Sequence, residues 1–242
     1  DRPTIVDSGQ DTDPEWDVWG RHIYVSGGQY IEVDGFFINA RDNSDYLAVD
    51  ITGESNHVKI RRCSLRRSIT TDGNQSASLF QITGRSSYNL IEDCSLSGHY
   101  RYGFVVMGYG NDTDDTRSHH NIFRRCVARG DYVAGGEPFA PFAIYGHNNS
   151  AALGPHDNMF QNCIAIDGNN SIGATNTYKH SPWYIFKGQN NVTLTGCITL
   201  NNAVPFYYFF RTDYSGNNLS IINSVFAANV DTDATIDTAV WR

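Results

Sequence analysis

A short pattern of apolar and polar residues recurs seven times along this chain. In each copy an apolar residue stands three positions before a slot that holds cysteine in five copies, phenylalanine in one and serine in another. The slots lie 27 to 37 residues apart, at Phe36, Cys63, Cys94, Cys126, Cys163, Cys197 and Ser224. The alternation of apolar and polar residues around each slot predicts a short β-strand with one face in a core.

A second alternating strand precedes most of these segments. Aligned on a following glycine position, its inward residues are predicted to be Val49 and Ile51, Phe80 and Ile82, Phe104 and Val106, Phe142 and Ile144, Tyr184 and Phe186, and Tyr208 and Phe210. No apolar stripe of helical period separates the strands, so crossover helices between parallel strands are not expected.

Irregular repeats of about 30 residues that contain only strands are typical of a solenoid. We therefore predict an all-β chain that forms a single-stranded right-handed parallel β-helix of about seven to eight coils. A β-propeller is the alternative, but its blades need four strands and about 40 or more residues. Residues 1–242 are expected to form a single β-helix domain, and the abrupt ends suggest a fragment or processed piece of a longer chain.

The predicted strand positions separate inward residues from outward ones. The five cysteines share the inward slot, where cysteine acts as a small buried hydrophobe, and no CxxC pair suggests a metal site. Two positions before the slot, residues of opposite charge alternate in successive copies: Asp34, Arg61, Glu92 and Arg124. Opposite charges on neighbouring strands stabilise a sheet, so we expect these residues to have a structural role.

Net charge and the length of apolar runs limit the kinds of partner that this protein is expected to have. The formal net charge of -8 argues against nucleic acid as the main partner. The chain is 40% hydrophobic, which is enough for a sizeable core, yet no apolar run approaches the roughly 20 residues of a membrane-spanning helix. We therefore expect neither a nucleic-acid partner nor a membrane span.

One outward face of the second strand carries side chains suited to an acidic sugar chain. Lys and Arg neutralise a uronate carboxylate, a Lys, Tyr or His removes the adjacent C5 proton, and aromatic rings hold the sugars. The predicted catalytic residues are Lys187, Arg211, Tyr145 and His147. The predicted substrate-binding residues are Trp183, Tyr207, Phe209, Asp213 and His156. The alternative is that a loop or a neighbouring subunit covers these aromatic residues.

Two long loops on adjacent copies also carry candidate chemistry. The first contains Asp112, Asp114 and Asp115 with His119 and His120, and the second contains His147, His156 and Asp157. Clustered carboxylates are suited to Ca²⁺, which prefers oxygen ligands, or to a carboxylate pair for glycoside hydrolysis. The alternative is a pair of solvated, turn-rich loops. A calcium cofactor at the three aspartates is thus one prediction.

The segments 30–38 and 89–94 resemble coils of the pectate-lyase-like β-helix superfamily, and the likeness covers roughly residues 22–240. The resemblance implies a secreted or extracellular protein that handles polysaccharide, as lyases, glycoside hydrolases, epimerases and phage tailspikes do. Gly154-Pro155-His156-Asp157 is similar to the Asp-Pro-His-Asp motif of mannuronan C5-epimerases, with glycine in place of the first acidic residue. Lys187 and Arg211, on neighbouring copies of the repeat, loosely resemble the lysine and arginine of the alginate lyase and chondroitinase B group.

Two hypotheses about function follow. The first is an extracellular enzyme that acts on an acidic polysaccharide, by β-elimination at a uronic acid. The second is a non-catalytic structural or adhesive module, such as a segment of a filament, adhesin or tailspike, with its aromatic face used for assembly or glycan binding. Its partners would be further copies of itself or a continuation of the solenoid, because exposed strand edges pair readily.

Overall fold

The structure is a computed structural model, and it describes the chain in segments. These are residues 4–6, 22–40, 47–67, 78–98, 101–108, 117–130, 140–146, 154–166, 182–186, 191–202, 207–209 and 218–228. Within these segments all regular secondary structure is β-strand, in three sheets whose paired strands are all parallel. The predicted all-β parallel solenoid is thereby confirmed at the level of architecture.

The strands are distributed over the sheets in strict rotation. Sheet 1 contains, in spatial order, β1 (Thr4–Val6), β4 (Phe37–Ala40), β7 (Ser64–Arg67), β10 (Ser95–Ser97), β13 (Val127–Arg129), β16 (Ile164–Ile166), β19 (Ile198–Asn202) and β22 (Val225–Ala228). Sheet 2 contains β2 (Ile23–Ser26), β5 (Val49–Thr52), β8 (Ser78–Ile82), β11 (Tyr102–Gly108), β14 (Ala140–Gly146), β17 (Trp183–Phe186) and β20 (Tyr207–Phe209). Sheet 3 contains β3 (Glu32–Asp34), β6 (Lys59–Arg61), β9 (Leu90–Glu92), β12 (Ile122–Arg124), β15 (Met159–Gln161), β18 (Val192–Thr195) and β21 (Leu219–Ile222).

The chain bends from sheet 3 to sheet 1 through one residue in the left-handed region. The residues with this positive φ are Gly35, Arg62, Asp93, Arg125, Asn162, Gly196 and Asn223. Glycine, asparagine and aspartate adopt this region readily, whereas arginine does so at a cost. Each arginine there donates to the acid of the preceding coil: Arg62 Nε lies 2.8 Å from Asp34 Oδ1, and Arg125 Nε lies 2.7 Å from Asp93 Oδ1. These pairs help to hold the bend.

The cysteine slot follows that bend and faces the main core, as predicted. All five cysteines are free thiols and buried, and they pack with apolar residues of all three sheets. Burial raises the pKa of the Cys126 thiol well above its ordinary value, so it stays protonated. Cys126 is therefore a structural rather than a reactive group, and the burial of all five cysteines in the core gives the row a packing role. At Cys197 the hydrogen bond with Cys163 instead lowers the pKa of the thiol.

A ladder of buried asparagines lines the corner between sheet 2 and sheet 3. Asn89 Nδ2 donates to Asn121 Oδ1 at 2.9 Å, and Asn121 Nδ2 donates to Asn158 Oδ1 at 3.0 Å. The same side chains satisfy backbone groups: Val58 N donates to Asn89 Oδ1, and Asn158 Nδ2 donates to Ser118 O. The ladder therefore replaces backbone hydrogen bonds that the turn cannot make by itself.

In sheet 2 the strand register predicted from sequence agrees with the structure from β5 to β14. At β17 the predicted register is shifted by one residue from the observed one. Phe142 pairs with Trp183 and Tyr145 pairs with Phe186, whereas the sequence pattern had paired them with Tyr184 and Lys187. Trp183 is 1% exposed, its ring stacks on Phe142 at 4.5 Å, and its Nε1 donates to Thr199 Oγ1. The prediction that Trp183 lies on the outward face and holds a sugar is wrong.

The alternating charges predicted on sheet 3 do form pairs. Glu92 is the centre: it accepts hydrogen bonds at 2.6 Å from Arg124 Nε and Arg125 Nη2, and it lies 3.3 Å from Arg61 Nε. Its side chain is only 6% exposed. Burial alone would raise the pKa of Glu92, but the arginines more than offset this and lower it below its ordinary value.

Glu92→Gln should lower the free energy of unfolding by about 2 kcal/mol at pH 7, because a charged hydrogen-bond partner is lost among three arginines. The folded-state pKa is lowered, so this stabilisation is complete above the unfolded pKa near 4.5 and is lost as pH falls through the folded value. Urea unfolding should show a difference in the free energy of unfolding between the unmodified protein and Glu92→Gln at pH 7, and this difference should shrink in acid. Glu54→Gln, at an exposed ion pair with Arg85, should change little; an equal loss there would contradict the assignment.

Candidate functional site

The predicted sugar-binding face is the outward side of sheet 2 around Tyr145. Where the structure describes this face, its side chains are buried or half-buried. On the side of sheet 2 away from the main core, Val105, Ala143 and Tyr184 are buried and pack together with half-buried Tyr145. Arg101 lies over the Tyr145 ring, with its guanidinium carbon 5.2 Å from the ring centroid. This observation agrees with the alternative in which the aromatic residues of this face are covered.

Most other predicted site residues cannot be compared with the structure. Lys187, Arg211, His147, Asp213 and the predicted calcium ligands Asp112, Asp114 and Asp115 lie outside the described residues. Tyr207 and Phe209 belong to β20, and their backbones pair with Tyr184 and Phe186 of β17. These assignments stay predictions. His156, by contrast, lies in a well-defined cluster at a different place.

That place is the corner where the chain passes from sheet 2 to sheet 3. Here one residue in each successive coil has a φ of 53 to 56°, and we call this series the corner row: Tyr30, His57, Tyr88, His120, Asp157 and Asn191. The preceding residues form parallel bridges from coil to coil, including the bridge between His119 and His156. Tyrosine in the left-handed region is uncommon, and such backbone conformations cluster at functional sites.

The first four members of the corner row form a ring stack. Centroid distances are 4.8 Å for Tyr30–His57, 5.7 Å for His57–Tyr88 and 4.9 Å for Tyr88–His120, with interplanar angles below 30°. Tyr30 is 76% exposed and Tyr88 is 51% exposed. The ring spacing follows the separation of paired strands. Neighbouring rings cover each other's faces, so hydroxyl groups and ring nitrogens are what the row presents to solvent.

The row continues into a cluster of three histidines and one aspartate. His156 Nδ1 lies 2.7 Å from Asp157 Oδ2, and Asn191 Nδ2 donates to Asp157 Oδ1 at 2.9 Å. His119 Nδ1 and His120 Nδ1 are 2.8 Å apart, and the His119 ring stacks on His156 at 4.9 Å. We call His119, His120, His156 and Asp157 the His–Asp cluster.

Electrostatics favour an ionised carboxylate and a neutral imidazole in this cluster. Burial alone would raise the pKa of Asp157, but hydrogen bonds from His156 and Asn191 more than offset it and lower the pKa below its ordinary value. Burial and the neighbouring imidazoles of His156 and His120 lower the pKa of His119. Because an ionised carboxylate only accepts hydrogen bonds, His156 Nδ1 is the donor and its Nε2 is left for another partner.

The His–Asp cluster has two chemical capabilities. An imidazole oriented by a carboxylate is a general base or acid, since the carboxylate holds the ring in one tautomer. In addition His120, His156 and Asp157 each offer a ligand atom within 4.8 Å of the others. The sequence alone had placed these residues on two loops and had singled out His156 for substrate binding, with Asp157 in the same short motif, but it had not brought His119 and His120 to them. Their common position before the ladder residues Asn121 and Asn158 is the signal that would have aligned them.

Comparisons with known proteins add no relative. No protein-family model matches the chain, and neither a curated protein nor a solved structure matches it. Among the residues that the structure describes, no helix is long and apolar enough to cross a membrane.

Proposed function

We propose that this protein cleaves an acidic polysaccharide by β-elimination at a uronic acid, with the His–Asp cluster as its proton-transfer centre. The observation that carries the proposal is the 2.7 Å contact between His156 Nδ1 and Asp157 Oδ2. It orients the imidazole and assigns the proton to Nδ1, so the Nε2 lone pair is available to a substrate proton. His156 is half-buried, which keeps it ordered while leaving it accessible to a polymer.

The reaction needs three groups at the site. A base takes the C5 proton, the electron pair forms the C4–C5 double bond, and the glycosidic C4–O bond breaks with a proton supplied to the leaving oxygen. His156 Nε2 would accept the first proton, and exposed His120, whose ring centroid is 6.2 Å from that of His156, would supply the second. Arg117, which is near enough to influence His119, would neutralise the uronate carboxylate. Lys187 and Arg211 remain further candidates for that last role.

The ring stack would hold the substrate on one side of this centre. Tyr30, His57 and Tyr88 run along the solenoid axis towards His120, and the two tyrosines are exposed. An extended sugar chain lying along the axis would meet their hydroxyl groups and ring nitrogens in order. Such regularly spaced donors suit hydroxyl and carboxylate groups that repeat along a polymer.

The proposal also concerns class and location. We also propose that the chain is a right-handed β-helix of about seven to eight coils in the pectate-lyase-like superfamily and that the protein is secreted or extracellular. The three parallel sheets support the solenoid. The resemblance of segments 30–38 and 89–94 to coils of that superfamily suggests the class, and the location follows from the class alone. Fold alone does not determine activity, so the His–Asp cluster carries the mechanistic part.

A panel of uronan polymers should yield ultraviolet absorbance from the unsaturated product with at least one member. His156→Gln should lower kcat by roughly 100-fold, because general-base catalysis contributes at least this factor. Lys59→Gln, an exposed change on sheet 3, serves as the control with unchanged rates. Assays contain a chelator so that no metal occupies the imidazoles. Absence of product from every uronan, or full activity in His156→Gln, would contradict the proposal.

A non-catalytic module is the second candidate. Val105, Ala143 and Tyr184 are buried within the single chain on the outward side of sheet 2, which closes the described part of the face predicted for catalysis and thereby favours this candidate. The same burial means that assembly or glycan binding would use another surface. Such a protein would bind a uronan without producing unsaturated ends, or would assemble with further copies. Size-exclusion chromatography with light scattering distinguishes assembly, and a strict monomer that cleaves polymer would eliminate this candidate.

A further inference from the structure

We propose that His120, His156 and Asp157 form a binding site for a divalent transition-metal ion of the zinc class. His120 and Asp157 occupy equivalent positions of the corner row in consecutive coils, and His156 precedes Asp157. One ligand atom from each residue lies within 4.8 Å of the other two. The solenoid thus brings together residues that are 36 and 37 positions apart in the chain.

The ligand set matches the chemistry of this class of ion. Two imidazole nitrogens and one carboxylate oxygen are a common three-ligand set, which leaves coordination positions for water or a further ligand. Zinc binds such atoms at roughly 2.0–2.2 Å, which places the ligand atoms about 3.5 Å from one another. The cluster therefore needs side-chain movements on the order of 1 Å to close around an ion. Ca²⁺ and Mg²⁺ prefer oxygen ligands and would find a single carboxylate here.

Neighbouring groups already orient two of the ligands. His119 Nδ1 contacts His120 Nδ1 at 2.8 Å, which engages one ring nitrogen of His120 and leaves the other for a metal. Asn191 donates to Asp157 Oδ1 and itself accepts a hydrogen bond from Asn218 Nδ2 at 3.1 Å, so Oδ2 is the oxygen directed to the cluster. Partners of this kind hold ligands in place and strengthen metal sites by 10- to 100-fold.

This site shares its residues with the proposed function but does not depend on it. A nitrogen lone pair that binds a metal cannot also accept a substrate proton, so the two occupations exclude each other. The metal-loaded protein is therefore expected to lack base catalysis at this corner. Metal binding is measured without polysaccharide, and lyase activity with a chelator, so either can fail without the other.

Titration of the tag-free, chelator-treated protein with Zn²⁺ or Co²⁺ tests the site. Calorimetry should show one Zn²⁺ ion per chain, Co²⁺ should develop a visible absorption band, and excess Ca²⁺ should displace neither ion from these three residues. His120→Asn and Asp157→Asn should each weaken Zn²⁺ binding at least tenfold. Asparagine suits these positions because it tolerates positive φ, and in place of Asp157 it keeps the side-chain shape.

His57→Asn is the matched control. It removes a histidine from the same row where the flanking row members are Tyr30 and Tyr88, so Zn²⁺ affinity should be unchanged. Circular dichroism identifies variants that fold. If His120→Asn does not fold, the near-isosteric Asp157→Asn decides alone. No Zn²⁺ or Co²⁺ binding by the unmodified protein, or equal affinity in Asp157→Asn, would overturn the proposal.

Discussion

Trp183→Ala is expected to lower the free energy of unfolding by about 4 kcal/mol, within the range for deleting a buried aromatic side chain. The ring stacks on Phe142 at 4.5 Å and packs edge-on against Phe160 at 5.5 Å. Its Nε1 bond to Thr199, at 2.7 Å, is also lost. The large cavity lies where sheet 2 faces the other two sheets, so neighbouring rings can fill it only partly. Urea unfolding followed by circular dichroism measures the loss.

Two variants sharpen this experiment. Trp183→Phe should lose roughly 1–2 kcal/mol, since Phe142 and Phe104 occupy the same row but phenylalanine has no donor for Thr199. Tyr24→Ala, on β2 of the same sheet and half-exposed, should lose less than about 1 kcal/mol. A loss in Trp183→Ala as small as that of Tyr24→Ala would place the tryptophan outside and restore the register predicted from sequence.

Asn121→Val is expected to lower the free energy of unfolding by about 3 kcal/mol, although a valine side chain fits the position. Asn121 is fully buried, and four hydrogen bonds end on its side chain: from Asn89 N and Nδ2, and to Ser86 O and Asn158 Oδ1. Removing one partner leaves buried polar groups without a bond, and each costs about 1–3 kcal/mol. The ladder is interrupted at its centre, so both neighbouring coils are affected. Equilibrium unfolding provides the measurement.

The ladder itself offers the controls. Val58 and Val192 occupy the same position in the flanking coils, which shows that the site accepts the valine shape. The triple replacement of Asn89, Asn121 and Asn158 by valine should cost less than the sum of the three single changes, because partners are removed together. Asn39→Val, at an exposed position of β4, should change little. A loss in Asn121→Val no larger than in Asn39→Val would mean that the ladder contributes nothing.

The repeat and the charge alternation were predictable because they depend on local spacing. The period of two identifies the inward cysteines, and identical offsets from the slot align Arg61, Glu92 and Arg124 on adjacent strands. Parallel stacking converts each sequence offset into a spatial row. Asn89, Asn121 and Asn158 likewise share one offset, five positions before the slot, but only the structure shows the hydrogen bonds between them.

The wrong prediction that Trp183 faces outward has a different cause. Around β17 the chain reads Trp183-Tyr184-Ile185-Phe186, so both alternating sets are apolar and a shift of one residue fits the pattern equally well. A one-residue shift moves every side chain to the other face. Phe142 and Thr199 decide between the two, since together they accommodate a ring and an N–H donor. Such contacts cannot be read from periodicity.

The sequence by itself determined a solenoid of short β-strands with stacked cysteines and paired charges, because these follow from periods and offsets along the chain. Tertiary structure alone decided the register of β17, the burial of the face around Tyr145 and the meeting of His120 with Asp157. Loops between matching positions vary in length, so the spacing of such residues differs from coil to coil. Only the pairing of neighbouring coils brings them to one corner.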